Sequence, residues 1–122
     1  PHLAAGRHVL CDRYILSSLA YQTVDCDVKF VRAVNDKALV PDITVFLRVN
    51  PDVAMARIAA TRPDRDVFET LPFQRKVAAA YDRLVAEWAP SKHAGQLVEL
   101  DGEQPLDAVA TRIRNALEPI LL

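Results

Sequence analysis

Glycine is scarce. The chain of 122 residues has three, Gly6, Gly95 and Gly102, and no two are near one another. That excludes a phosphate cradle of the G-x-x-x-x-G-K-(S/T) kind from within these residues, because such a loop needs clustered glycines to bring backbone N–H groups against a phosphate. Surplus charge is lacking as well. Fifteen basic residues face sixteen acidic ones, for a net charge of -1. This balance offers no electrostatic case for nucleic acid or an anionic membrane surface as a partner. No apolar run approaches the ~20 residues of a membrane span. The opening PHLAAGRH is too short in apolar residues, and too interrupted by His and Arg, to read as a signal peptide. Cysteine occurs twice, Cys11 and Cys26, and His2, His8 and His93 fall without ligand spacing, so no zinc site is expected. With no secretory signal, the two thiols are expected to be free and buried in a reducing cytoplasm.

What is present is an ordinary globular composition, 51% hydrophobic and 25% charged, enough for one domain with one core. Repeats and low-complexity tracts are absent. The sequence begins at Pro1 without an initiator Met, and Gly6 reads as the C-cap of a helix already ending there. The chain is therefore expected to enter in the middle of a fold.

The apolar run His8 to Cys11 reads as a short strand ending at Asp12. A helix should begin near Ser17, with Ser17 or Ser18 as its cap. Val28, Val31, Val34, Ala38 and Leu39 fall at helical spacing over residues 27–39, and Pro41-Asp42 ends that run. "ITVFLRV", residues 43–49, is β-branched and aromatic and predicts a buried strand. Asn50-Pro51 predicts the next helix start, with Asn50 as cap and Pro51 at the first helical position. Residues 61–71 read as a charged loop. Phe73, Val77, Ala80, Tyr81, Leu84 and Trp88 then mark one face of a long helix. "QLVEL" at 96–100 is a third strand, Asp101-Gly102 a turn, and residues 104–118 a last helix. Strands alternating with helices predict a parallel sheet covered by helices, with ligands at the strands' carboxyl ends. Asp12-Arg13, Asn50 and Asp101-Gly102 all fall there.

Arg13 is a planar, permanently charged fork suited to a phosphate. Asp12 suits Mg2+ or a hydroxyl. Tyr21 and Gln22 offer an aromatic wall and an amide. Each has a plainer structural reading too: an ion pair closing a strand for Asp12-Arg13, a helix cap for Ser17, a solvated charged face for Arg57, Arg62 and Arg65. Phe73, Tyr81 and Trp88 read as core, because they follow helical spacing.

In this setting "DRYILSSLAYQ" resembles the DR(Y/H)-x-x-S-(S/T/N)-x-A-Y-Q segment of thymidylate kinases. "PDITVFLRVNPDVAMARI", "DVFETLPFQRKVAAAYDRL" and "LVELDGEQPLDAVATRI" continue the likeness in register to the end. The resemblance implies a three-layer α/β/α domain of the P-loop nucleotide kinase type, of which residues 1–122 would be an incomplete single domain. They would supply strands 3, 4 and 5 of a parallel sheet ordered 2-3-1-4-5, with a lid at about 61–71. The implied activity is transfer of the ATP γ-phosphate to dTMP, with Mg2+, in a cytoplasmic homodimer that binds neither nucleic acid nor membrane.

Residue by residue, the likeness places Arg13 on the monophosphate and Asp12 near the metal and the transfer path. Ser17, Ser18, Tyr21 and Gln22 would line the thymidine pocket, with Tyr21 under the deoxyribose. Arg57 would lie against adenine, flanked by the turn Asp101, Gly102, Glu103 and Gln104. Arg62 and Arg65 would come from the lid, and Glu69 would support the nucleotide through water. Two departures stand out. Thr23 follows Tyr-Gln where the family often has Gly, and Arg48 stands where it usually has Asp.

The resemblance also implies that the P-loop, on strand 1, lies outside these residues. A missing middle strand would leave a gap near 10 Å, at about 4.8 Å per strand spacing, with unpaired backbone on both sides. Such groups cost about 1–3 kcal/mol each against a total domain stability of about 5–15 kcal/mol. The chain is therefore expected to repack its first strand against its second, take a strand from elsewhere, or fold poorly. It is also expected to be inactive, or nearly so, alone. Another nucleotide or deoxynucleoside kinase of the same fold, or a non-catalytic homologue serving as a dimerisation module, is the alternative.

Overall fold

A computed structural model of the chain describes residues 1–61, 70–88 and 95–121. A single 3-10 turn, Leu3–Ala5, ends at Gly6, whose φ of 70° is the left-handed cap foreseen for it. Helix α1 then spans Ile15–Gln22, α2 Val28–Asn35, strand β1 Ile43–Arg48, α3 Pro51–Thr61, α4 Leu71–Glu87, β2 Gln96–Asp101 and α5 Leu106–Leu121.

The helix starts follow their capping chemistry. Asp27 accepts the Phe30 backbone N–H at 3.0 Å and opens α2. Asn50 accepts the Asp52 N–H at 2.9 Å and, with Pro51 first in the helix, opens α3. Helix α1 departs from expectation. It starts two residues before Ser17, its N-cap is Tyr14 without a side-chain bond, and Ser17 is buried inside its first turn. Helix α2 stops at Asn35, four residues short of the expected end. The Asn35 amide donates to the Val31 carbonyl at 2.8 Å and takes an acceptor at the last turn.

Strands β1 and β2 pair in parallel, from Ile43 opposite Gln96 to Arg48 opposite Asp101. They form a two-stranded sheet, and the Gly102 N–H extends the ladder to the Arg48 carbonyl at 2.8 Å. The strand expected at His8–Cys11 does not form. A strand exists only by pairing, and these residues pair with neither β1 nor β2 and lie exposed, Leu10 at 91%. The sheet is thus α/β and parallel as expected, with two strands where three were foreseen. Among the described residues the first strand neither repacks against the second nor gains a strand from elsewhere.

The core lies among the helices. Ile15 and Leu19 of α1 meet Val31 of α2, while Ala20 of α1 meets Val77 and Ala80 of α4. Leu84 packs against both groups and makes them continuous. Burying side chains of this size contributes about 1.5–3 kcal/mol each, so α1, between α2 and α4, is the best-held element. Phe46 of β1 stacks on Tyr81 of α4, ring centres 5.0 Å apart, which fastens the sheet to the helices. Both cysteines are free but exposed, against the expectation of burial. No described helix is long and apolar enough to cross a membrane.

Candidate active site

Two clusters of polar groups stand at the ends of these elements. The first surrounds Arg13, just before α1. Arg13 has a φ of 66°, the left-handed region that a side chain with a Cβ rarely occupies. Its Nε donates to the Ser17 Oγ at 2.8 Å, one helical turn on. Its guanidinium lies over the Tyr21 ring, 4.2 Å from the centroid. The terminal nitrogens meet no hydrogen-bond partner among the described residues. One edge of the fork is thereby anchored and the other unpaired among the described residues. Asp12 next to it is exposed, with no side-chain partner among the described residues.

Tyr21 is wedged between aromatic rings. Phe73 stands 6.0 Å away and Tyr81 6.4 Å away, edge-on. Burial pushes the Tyr81 phenol above its ordinary range, while a hydrogen bond with Ser17 and the charge of Arg13 pull it the other way. Of the residues expected to line one pocket, Arg13, Ser17 and Tyr21 come together. Ser17, at 8% exposure, is covered and holds Arg13 rather than facing outward. Ser18 is half-buried and Gln22 exposed at the far end of α1.

The second cluster lies at the carboxyl ends of β1 and β2. Arg57 of α3 donates through Nη1 to the Gly102 carbonyl at 2.9 Å and through Nη2 to the Glu103 carbonyl at 3.2 Å. Asp101 accepts the Glu103 N–H at 2.9 Å and the Gln104 amide at 2.7 Å. These bonds, Gln104 foremost, hold its carboxyl below the usual range. Glu103 in turn accepts the Asn50 N–H at 2.8 Å. All five residues expected to flank adenine thus form one network. Two of the five Arg57 N–H donors hold the turn, and the flat faces of its guanidinium are of a kind that stacks.

Arg48 belongs to neither set of expected contacts. It forms ion pairs with Glu99 of β2 and Asp82 of α4, both short, and lies over Phe46. The two carboxylates raise the guanidinium above its already high range, and Arg48 lowers Glu99. Where the resembled family usually has Asp, this chain has a cation with two acidic partners at hand. Glu99 is exposed, so its pairing adds little stability, and that little is lost only in acid. A depressed carboxylate adds stability above its ordinary pKa of 4.5 and loses it as pH falls through the lower folded value. In Arg48→Gln, carbon-detected NMR titration should find Glu99 back near its ordinary range. An unmoved Glu99 would show that the pair does not form in solution.

Arg62, Arg65 and Glu69 lie outside the described residues. Among the described residues no group of three His, Cys, Asp or Glu converges as a metal cage would. Mg2+ commonly needs only one or two carboxylates, with water and substrate phosphates completing its shell. Asp12, exposed and unpaired among the described residues, fits that demand. Sequence reasoning assigned Phe46 and Tyr81 to strand and core. Their periodicity carried no sign that the two rings would stack, or that Tyr81 would also meet Tyr21.

A parallel sheet with helices, an arginine before α1 with its outer nitrogens unmet among the described residues, and a polar turn after β2 are compatible with an α/β fold of the nucleotide-binding kind. The comparisons narrow this class. Residues 1–113 match the family model described as thymidylate kinase. The chain is 40% identical to the thymidylate kinase of Halalkalibacterium halodurans, over 89% of this chain and 53% of that protein. It is 35% identical to that of Trichormus variabilis, over 99% of this chain and 58% of the relative. With the thymidylate kinase of Clostridium novyi the identity is 32%, over 97% of this chain and 59% of the relative. The chain belongs to the thymidylate kinase family and spans a little over half the length of these relatives.

Proposed function

We propose that this chain is the C-terminal part of a dTMP kinase, which transfers the γ-phosphate of ATP to dTMP to give dTDP on the route to dTTP. The observation that carries the reading is Arg13: a guanidinium anchored on Ser17, laid over Tyr21, with its outer nitrogens unmet among the described residues. Charge-assisted contacts from such a fork to a phosphate are strong, and rigid placement lowers their entropic cost. Tyr21 supplies the wall beneath the sugar, with Ser18 and Gln22 beside it. The Arg57 turn presents guanidinium face and backbone to adenine. Arg48 and three carboxylates, Glu99, Asp101 and Glu103, border the open cleft beside that turn, and the acidic groups outnumber the one cation. Their charge disfavours a polyanion there, so the base rather than the triphosphate suits this edge.

Mg2+ would be held by Asp12 together with phosphate oxygens, and when bound it offsets charge on the transferring group. Arg62, Arg65 and Glu69 keep their proposed lid roles. The working protein is a cytoplasmic homodimer, and the exposed apolar side of α2, with Val28, Phe30 and Val34, is the proposed contact.

The chain alone, given ATP, Mg2+ and dTMP, should form no dTDP in a coupled assay. Joined behind the N-terminal portion of the Halalkalibacterium halodurans relative, it should form dTDP and should use dTMP well above UMP. Turnover by the chain alone would refute the inactivity. A folded chimera that prefers UMP or thymidine would refute the substrate.

A further inference from the structure

We propose that Arg48 is a positioning residue for the Tyr21 ring, acting by clasping the sheet to α4. The consequence for nucleotide affinity rests on the reading above; the positioning itself does not. Successive side chains of a strand alternate between faces, so Phe46 and Arg48 share one face of β1. The parallel register sets Glu99 opposite Phe46, on that same face and diagonal to Arg48. One face of the sheet thus carries a ring, a cation and a carboxylate. Helix α4 meets them with two consecutive residues. Tyr81 stacks on Phe46, ring centres 5.0 Å apart, and Asp82 accepts from Nη1 of Arg48, whose Nε donates to Glu99. The same guanidinium lies 5.4 Å from the Phe46 ring centre. From there the rings run on towards α1. Tyr81 meets Tyr21 edge-on at 6.4 Å and 83°, and Tyr21 carries Arg13 over its face at 4.2 Å. An arginine therefore closes each end of a row of three rings.

The two ion pairs are exposed, and pairs of that kind stabilise a fold only slightly. Their geometry is what matters here. One planar fork engages α4 and β2 through different nitrogens while it lies over a ring of β1. Sheet and helix cannot slide past each other without breaking all three contacts. A lysine is a point charge and cannot reproduce the fork. An aspartate, usual here in the resembled family, would set a third carboxylate beside Asp82 and Glu99. It would also bring negative charge to the negative face of Phe46. Arg48, Asp82, Glu99 and Phe46 are thus consistent as a set, and the departure at Arg48 has a physical reason within this chain.

The test uses the 122-residue chain with 13C-labelled tyrosine rings. The Tyr21 ring signals report its place between Tyr81 and the Arg13 guanidinium. Arg48→Gln should shift them, Arg48→Lys should shift them less, and Arg48→Asp should shift them most. Adding Asp82→Asn and Glu99→Gln to Arg48→Asp should bring them part of the way back. Arg75→Gln is the matched control. Arg75 of α4 pairs with Asp52 of α3 at 2.9 Å, another exposed pair onto the same helix, and makes no ring contact among the described residues. Its loss should leave the Tyr21 signals in place. Emission from Trp88, which is buried, reports whether each variant remains folded. Affinity for dTMP should fall about two- to fivefold in Arg48→Gln, the scale of an exposed pair, and should not change in Arg75→Gln.

Tyr21 signals unmoved in folded Arg48→Gln would overturn the proposal. Equal movement in Arg75→Gln would do the same, since any loosening of α4 would then suffice. A shift in Arg48→Asp that survives the two added substitutions in full would also overturn it, because the charges of the clasp would not be its cause. Where Arg48→Asp does not fold, Arg48→Gln and Arg48→Lys decide. Unchanged dTMP affinity in Arg48→Gln, in a chain whose unaltered form binds dTMP, would remove Arg48 from the site. If the ring signals respond as expected while the unaltered chain binds no dTMP, the positioning stands and the nucleotide reading fails.

Discussion

Arg13→Gly should weaken dTMP binding by roughly 10- to 100-fold and leave the fold as stable as before, or more so. A hydrogen-bonded contact to a charged group is worth about 1.5–3 kcal/mol, and every 1.4 kcal/mol is a factor of about ten. The stability half rests on the backbone. At a φ of 66°, a residue with a Cβ costs roughly 1–2 kcal/mol that glycine does not. Removing the side chain gives up the cation over Tyr21, about 0.5–1 kcal/mol at an exposed site, and one hydrogen bond to Ser17. These nearly cancel. Isothermal titration and thermal unfolding on one sample set check both halves. Arg13→Ala provides the control: it should lose the same affinity and also lose stability, because it keeps the strain without the contacts. Unchanged dTMP binding in Arg13→Gly would remove the arginine from the site, and with it the main support for the proposed function.

That balance is characteristic of a side chain kept for what it meets rather than for what it holds. Strained backbone persists where surrounding contacts over-determine it, and it gathers at working sites. The observed φ points to the role, and not the reverse. The sequence marks Asp12-Arg13 as opposite charges at the end of an apolar run, by the chemistry of their side chains and by the family likeness. The strain could not be read there, because nothing in the residue types marks a positive φ at an arginine.

Local chemistry was legible wherever one residue decides an outcome. Asn50-Pro51 marks the start of α3, Gly6 ends a turn, and the spacing of Phe73 to Leu84 marks the buried side of α4. The order of elements and the parallel pairing of β1 with β2 followed from alternation alone. What failed depended on partners distant in the chain. His8–Cys11 has the composition of a strand, but a ladder needs a second edge, and neither described strand provides one. Cys11, expected buried on that strand, is exposed for the same reason. Ser17 was weighed as cap and as ligand contact. Its position within the first turn of α1, below Arg13, depended on where the helix began. The family likeness named candidate site residues along the chain; the contacts of Tyr81 with Phe46 and Tyr21 required the fold.

The largest loss of stability from a single added methyl should come from Gly95→Ala. A Cβ at this position would stand 1.8 Å from the Pro41 carbonyl oxygen, 2.9 Å from its carbon and 3.1 Å from the Asp42 oxygen. All three are backbone atoms, so no rotamer change relieves the clash and one chain segment must retreat. Two bonds are lost as it does: Gln96 N–H to the Asp42 carbonyl at 3.0 Å, and Trp88 Nε1–H to the Gly95 carbonyl at 3.1 Å. The first opens the ladder between β1 and β2. The second frees the indole of a buried tryptophan at the end of α4. Losing the two while forcing overpacking should cost about 3 kcal/mol, which is roughly 10–20 °C in melting temperature for a domain of this size. Gly102→Ala makes the comparison sharp. Its closest new contact, 2.6 Å, is the Val49 Cγ2, a side-chain methyl that can rotate away, although the Arg48 carbonyl at 3.2 Å limits the relief. Its melting point should fall by less than half as much. The damage there should instead appear at the proposed adenine edge, since the Gly102 carbonyl is the acceptor for Arg57. Equal destabilisation by the two substitutions would mean that Gly95 does not lie against Pro41. The parallel pairing of β1 and β2 would then start from a different register.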